Sequence, residues 1–151
     1  MNNHQKEIDL LNELLTKSYD AQQGYNQAAD SVEEENINLR DMFRQYAVNR
    51  QQFANELISM VVALGGTPTE NESVTAKLHQ TWMSLKALVA SKDEKAILSE
   101  VIKGESAAIE SYSNAINNLP ANSINREAII SQRSRVELSL TRVKELASIY
   151  S

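Results

Sequence analysis

The chain contains no cysteine, which removes disulfide bonds, thiolate catalysis and cysteine-ligated metals from consideration. Only four glycines and two prolines occur among its 151 residues, and this scarcity of turn formers favours long helices. The longest apolar run extends from Met60 to Leu64 and is far too short to cross a membrane. The first residues lack the apolar segment of a secretory signal, so we expect a cytoplasmic protein.

Positive charge is also scarce. The formal net charge is −5 at pH 7, and no basic stripe is visible, so we expect no binding to nucleic acid through its phosphates. The length suits one domain spanning residues 1–151, and a hydrophobic content of 42% is sufficient for a real core.

Apolar residues recur every three or four positions through most of the chain, which is typical of amphipathic helices. The pattern predicts five, at about Asn3–Asp30, Glu34–Leu64, within Thr69–Ser91, Lys92–Asn118 and Ser123–Ile149.

Helix ends carry their own signals. Ser31 with Glu34, and Ser91 with Glu94, match the capping-box pattern and predict the starts of the second and fourth helices. Asn122 or Ser123 is expected to cap the last helix.

The last helix has two alternative stripes. The first is the more apolar and is therefore preferred as the core face: Ile129, Gln132, Val136, Leu140, Val143, Leu146. The second would flank the core or pack on a neighbour: Ile124, Ala128, Ser131, Arg135, Leu138, Arg142.

Short links join the first two helices and the last two, which predicts two antiparallel hairpins. The third, shorter helix is long enough to cross the bundle between them, and leaves the second and fourth helices parallel. We therefore predict an all-α, ferritin-like four-helix bundle with a fifth, shorter crossover helix between helices two and four.

Two charged residues fall on apolar stripes. Glu105 and Tyr112 share the buried face of the fourth helix, and Arg50 stands in the middle of the second. A buried carboxylate needs a partner, so we predict that Arg50 pairs with Glu105. The alternative is that Arg50 leans to the bundle edge and extends its guanidinium into water.

Other polar side chains on the inward stripes are expected to complete this layer with hydrogen bonds: Ser18, Gln22, Tyr25, Tyr112, Gln132. A faint internal repeat runs through it, because Ser18, Tyr25 and Ala28 have the same spacing as Glu105, Tyr112 and Ala115.

The pair Gly104-Glu105 followed by Tyr112 resembles the Glu-(six residues)-Tyr pattern of rubrerythrin and ferritin helices. The whole chain also resembles an uncharacterised bacterial family of ferritin-like bundles with a domain of unknown function. The residues that carry this second resemblance are Gly24 to Ala29, Arg50 to Phe53, Glu56-Leu57, Gly65 to Pro68, His79, Trp82, Leu85-Lys86, and Gly104-Glu105 with Tyr112. The resemblance implies a fold but no activity.

A ferritin-like di-iron site takes a Glu from each of two helices and Glu-x-x-His from each of the other two. Of these ligands only Glu105 is present at a matching position, since Ser18 stands on the first helix and Arg50 and Gln132 lie on the second and last. We therefore expect no cofactor. The alternative is iron or manganese at a non-standard site built from Glu56, Glu105 and Glu110.

The first functional hypothesis is a non-enzymatic binding or scaffold protein, with an unknown protein partner and self-association into a homo-oligomer. Its partner surface would include His79, Trp82 and Lys86, although Trp82 alternatively serves as a packing anchor. The second hypothesis is a ferritin-like oxidoreductase or metal carrier. The third is a bundle that holds a small anion beside Arg50.

Overall fold

The computed structural model describes residues 3–32, 34, 36–70, 82, 85 and 93–150. Within them the chain forms four α-helices and no strand, which confirms the all-α class for this part of the molecule. The helices are α1 (Asn3–Ser31), α2 (Ile37–Ala63), α3 (Glu94–Asn118) and α4 (Arg126–Ile149). The predicted crossover helix lies almost wholly outside the described residues. None of the four helices combines the length and apolar character that a membrane crossing requires.

The start of α2 differs from the prediction. Ser31 is the last residue of α1, where its hydroxyl donates to the carbonyl of Gln27 one turn earlier, and it is too far from the start of α2 at Ile37 to cap that helix. Asn36 is the cap instead, and its side-chain oxygen accepts the backbone N–H of Leu39.

The starts of the last two helices are also later than expected. Asp93 caps α3 through the N–H of Ala96. Ser123 does not begin α4, because its hydroxyl donates to the Glu7 carboxylate at 2.6 Å and accepts the N–H of Asn125. These contacts tie the turn before α4 to the first helix.

The helix α2 ends one residue before the predicted Leu64. Gly65 has a φ of 85°, a left-handed conformation that side chains rarely adopt, and the N–H of Gly66 donates back to the carbonyl of Val61.

Cross-helix contacts give the directions of the helices. Tyr25 near the end of α1 packs on Phe43 near the start of α2, and Tyr25 also meets Glu105 of α3, so α1 runs antiparallel to both neighbours. Contacts of α4 with α2 and α3 show the same antiparallel sense. The helices α2 and α3 are therefore parallel, as predicted.

The apolar core consists of two clusters, one toward each end of the helices. One includes Leu11 and Leu57, and the other includes Phe43 and Val101. The preferred stripe of α4 is confirmed, since all its members are buried except half-buried Leu146. Between the clusters lie polar side chains contributed by all four helices.

Trp82 explains two helical glycines. Its indole is 5% exposed and lies between α1 and α3, where a Cβ added at either Gly24 or Gly104 would overlap the ring. The ring also packs on Tyr25, with centroids 5.2 Å apart. Trp82 is thus a packing anchor, one of the two roles expected for it, and its buried indole is not exposed for a partner to contact. His79 and Lys86 lie outside the described residues.

We expect Gly104→Ala to lower the free energy of unfolding by about 1–3 kcal/mol, because the added methyl overpacks the indole despite the better helix propensity of alanine. Denaturant unfolding followed by far-UV circular dichroism measures this. The loss should shrink in a Trp82→Phe background, where the smaller ring leaves room. An equal loss in both backgrounds would contradict the packing explanation.

Asp20 predicts a dependence of stability on pH. Only 3% of its surface is exposed, and burial raises the pKa of its carboxyl from 3.8 to about 7, against the opposing effect of Lys17. Between about pH 4 and pH 7 the folded chain therefore holds a proton that the unfolded chain releases. This contribution to the free energy of unfolding falls as the pH rises through that interval and is absent above it.

Asp20→Asn should therefore become progressively more stable relative to the parent chain as the pH increases from about 4 to about 7. Urea unfolding at several pH values measures the difference. Asp9→Asn, an exposed change on the same helix, is the control and should follow the parent curve. Parallel curves for Asp20→Asn and the parent would contradict this interpretation.

Candidate functional site

A buried ion pair joins α2 to α3 at mid-bundle. Arg50 Nη1 donates to Glu105 Oε1 at 2.6 Å, and Nη2 donates to Oε2 at 2.9 Å. The two residues have 2% and 0% of their side-chain surface exposed. The parallel two-bond geometry suits the planar guanidinium, and the pair carries no net charge.

The other two helices complete the coordination of this pair. The hydroxyl of Tyr25 on α1 donates to Glu105 Oε2 at 2.5 Å, and Arg50 Nη2 donates to Ser139 Oγ on α4 at 2.7 Å. The rings of Tyr25 and Phe53 each lie with their centroids 5.5 Å from the guanidinium carbon. One arginine thus holds side chains from every helix, although its Nε donates to no described residue.

A second set of hydrogen-bonded polar side chains lies beside the ion pair, toward the core cluster that includes Leu11 and Leu57. Tyr112 donates its hydroxyl to Gln132 Oε1 at 2.6 Å, and Gln132 Nε2 donates to Glu56 Oε1 at 2.7 Å. Ser18 forms a further hydrogen bond with Tyr112. Each tyrosine of the internal repeat therefore reaches across the bundle to the first residue of the other copy, Tyr25 to Glu105 and Tyr112 to Ser18.

Burial and charge determine the protonation of the layer. Burial, together with the neighbouring Glu105 carboxylate, raises the pKa of Tyr25 well above its ordinary value. Burial also raises the pKa of Tyr112. Burial alone lowers the pKa of Arg50, but Glu105 more than offsets that effect and the result is a raised value. Both tyrosines consequently stay protonated as donors near neutral pH.

Most members of this polar layer were predicted from the sequence. Six of its expected members make the described contacts: Ser18, Tyr25, Arg50, Glu105, Tyr112, Gln132. Gln22 is half-buried and makes no hydrogen bond to a described residue of the layer. The alternative position of Arg50 at the bundle edge was wrong, since its side chain is 2% exposed.

Ser139 was missed. It belongs to the layer because its hydroxyl accepts from Arg50 and donates to a carbonyl one turn earlier on α4. Its sequence signal was a small polar residue among the apolar positions of α4, and serine at such a position is ordinary.

The residues present do not fit a di-iron site. Both oxygens of Glu105 accept hydrogen bonds from Arg50, and a guanidinium lies where cations would have to approach. Glu56 accepts from Gln132, and Glu110 is exposed on α3. Among the described residues, no three His, Cys, Asp or Glu side chains are grouped so as to hold a metal ion.

The chain matches a known protein-family model over most of its length. The family model described as "Domain of unknown function (DUF2383)" matches residues 6–118. That range includes Tyr25, Arg50, Glu105 and Tyr112 and ends before α4, which supplies Gln132 and Ser139. No curated protein matches the chain.

The buried pair predicts strong coupling between its members. Arg50→Met should lower the free energy of unfolding by about 3–5 kcal/mol, because it leaves the Glu105 carboxylate buried and unpaired. Glu105→Gln should be costly for the corresponding reason. The double variant should lose much less than the sum of the single losses.

A double-mutant cycle by denaturant unfolding measures this coupling. Arg133→Met, which breaks a partly exposed pair with Glu137, is the control and should cost less than about 1 kcal/mol. Additive losses for Arg50→Met and Glu105→Gln would show that the pair does not act as a unit.

Proposed function

This chain belongs to the DUF2383 family of domains of unknown function, and on that premise we propose that it is a ferritin-like bundle that binds a partner molecule and has no di-metal centre. The proposal makes it a non-enzymatic binding or scaffold protein. Its support comes from the topology of the helices and from the contents of their shared core.

The topology supports a ferritin-like arrangement. The pairs α1–α2 and α3–α4 are antiparallel hairpins, and α2 is parallel to α3. A parallel relation between consecutive helices requires the connecting segment to travel back along the bundle. The 30 residues between Ala63 and Glu94 are long enough for that return, and Trp82 places part of them on the α1–α3 side.

The observation that carries the proposal is the bidentate pair of Arg50 and Glu105. In a di-iron bundle the layer at mid-height holds carboxylates and imidazoles that offset the charge of two cations. Here an arginine supplies the positive charge from within the chain. The layer is neutral and its oxygens are engaged, so the bundle is held together without a metal.

The same layer offers little for acid–base catalysis. A general base must be deprotonated near the working pH so that it can accept a proton from the substrate. The raised pKa of Tyr25 instead keeps its hydroxyl protonated. The Glu105 carboxylate accepts three hydrogen bonds and is buried, so a substrate would have to displace these partners. These properties favour a structural core and point to the outer surface for function.

The test is the metal content of chain produced with ample iron and manganese and purified without chelator, measured by elemental mass spectrometry. We expect far less than one metal ion per chain, with helicity by circular dichroism unchanged after chelator is added. About two metal ions per chain, lost in Glu105→Gln, would overturn the proposal and favour a metal carrier or oxidoreductase.

A further inference from the structure

The seam between α2 and α4 is more open than the other helix interfaces. The backbones of α1 and α2, of α3 and α4, and of α1 and α3 approach closely, whereas α2 and α4 are joined mainly by long side chains such as Arg50 and Gln132. Two recesses follow one another along this seam. One has a volume of about 220 Å³ between Tyr46, Asn49 and Arg135, and the other about 150 Å³ between Met42 and Arg142.

The two recesses lie one after the other along this seam and are here called, together, the α2–α4 groove. It extends on α2 from Asn36 to Asn49, which corresponds to about 20 Å of helix. Its α4 side includes Arg135, Leu138 and Arg142 of the second stripe, together with Ile149. Half-buried Leu146, which belongs to the core stripe, also lines it.

The groove has exposed apolar groups between its charges. Leu138 is 70% exposed and Ile149 is 75% exposed, although both line the recesses. Leu138 stands three residues after Arg135 and four before Arg142, and Ile149 follows Arg142 by seven, so apolar and cationic groups alternate along one edge.

The two arginines of the groove have no carboxylate partner within the described part of the chain. Arg135 lies over the ring of Phe53 at 5.2 Å, and Arg142 is close enough to Tyr46 to lower its pKa against the stronger effect of burial. The described ion pairs of α4 involve Arg133 and Glu137 instead, on the side of α3.

Charge is divided between the two sides of the bundle. The helices α2 and α4 carry eight basic and five acidic residues, whereas α1 and α3 carry four basic and nine acidic ones. The chain as a whole has a net charge of −5, whereas the charged residues among those that line the two recesses are Arg135 and Arg142. The indole of Trp82 lies on the opposite side, over the seam of α1 and α3.

From this geometry we propose that the α2–α4 groove binds an acidic amphipathic helix of a partner protein. A third helix laid between two others inserts its apolar side chains into the recesses at spacings of three, four and seven residues. The flanking carboxylates of such a helix would meet Arg135 and Arg142, and charge complementarity selects it over a basic one. This inference rests on the proposed function and names the chemistry of the partner.

The probe is a fluorescein-labelled 15-residue helical peptide with leucines at spacings of three and four and glutamates on both flanks. The matched control peptide has lysine in place of every glutamate. Fluorescence anisotropy should show that the chain binds the acidic peptide saturably and does not bind the lysine control peptide. Binding of the acidic peptide should weaken as salt is added. The variant Arg135→Glu with Arg142→Glu should weaken it by about tenfold or more.

Two further variants keep the test specific. Arg133→Glu, outside the groove, should leave the affinity within about twofold, since its charge is distant from the peptide. Leu138→Ser should weaken binding without changing the charge. The contact of Arg135 with Phe53 could make Arg135→Glu disturb folding. In that case the single variants Arg142→Glu and Leu138→Ser replace the double variant.

Several results would overturn the proposal. They are absence of binding by the acidic peptide, equal binding of both peptides, or equal losses for Arg133→Glu and the groove variants. A dimer of the chain, seen by sedimentation without peptide and abolished by Arg142→Glu, would show that a second copy occupies the groove instead. Metal content of the same samples separates the two proposals, because a metal-free chain that does not bind the acidic peptide contradicts only this one.

Discussion

The bidentate ion pair between Arg50 and Glu105 constrains all four helices, because its two charges are buried and must be satisfied from every side. The carboxylate takes a third hydrogen bond from Tyr25, and the guanidinium reaches Ser139. A shift of any helix along its axis would break one of these bonds in a low-dielectric interior, where an unpaired group is costly. The pair therefore fixes the helix register, whether or not it adds net stability over an apolar core.

The same arrangement makes the two sides of the bundle different. On the α1–α3 side, glycines at positions 24 and 104 let the Trp82 indole enter between the helices. On the α2–α4 side, the long side chains of Arg50, Gln132 and Tyr46 fill the space and leave a groove above them. Small residues thus permit close packing and a covering segment on one side, and large polar residues produce an open basic seam on the other.

The polar layer also shows how a four-helix bundle can hold a buried carboxylate at its centre without a metal ion beside it. An interior that holds only one carboxylate at the level of Glu105 needs a single compensating cation, and one guanidinium with its several donors meets that need. Tyrosine hydroxyls with raised pKa values supply neutral donors to the remaining oxygens. The Arg50–Glu105 pair and the donors around it are therefore neutral as a set.

The sequence by itself determined the helices, their parallel and antiparallel order and most of the polar layer, because periodicity places Glu105 and Tyr112 on a buried stripe and burial then demands partners. It also selected the core face of α4, since the more apolar stripe is the one that leaves water. Only the tertiary structure decided where the last helix begins, because the Ser123 hydroxyl donates to Glu7 of the first helix, a contact that a local pattern does not reveal. It alone placed Ser139 on Arg50 and buried Trp82 against Gly24 and Gly104, and it alone opened the α2–α4 groove, because these features depend on distances between helices that are far apart in the chain.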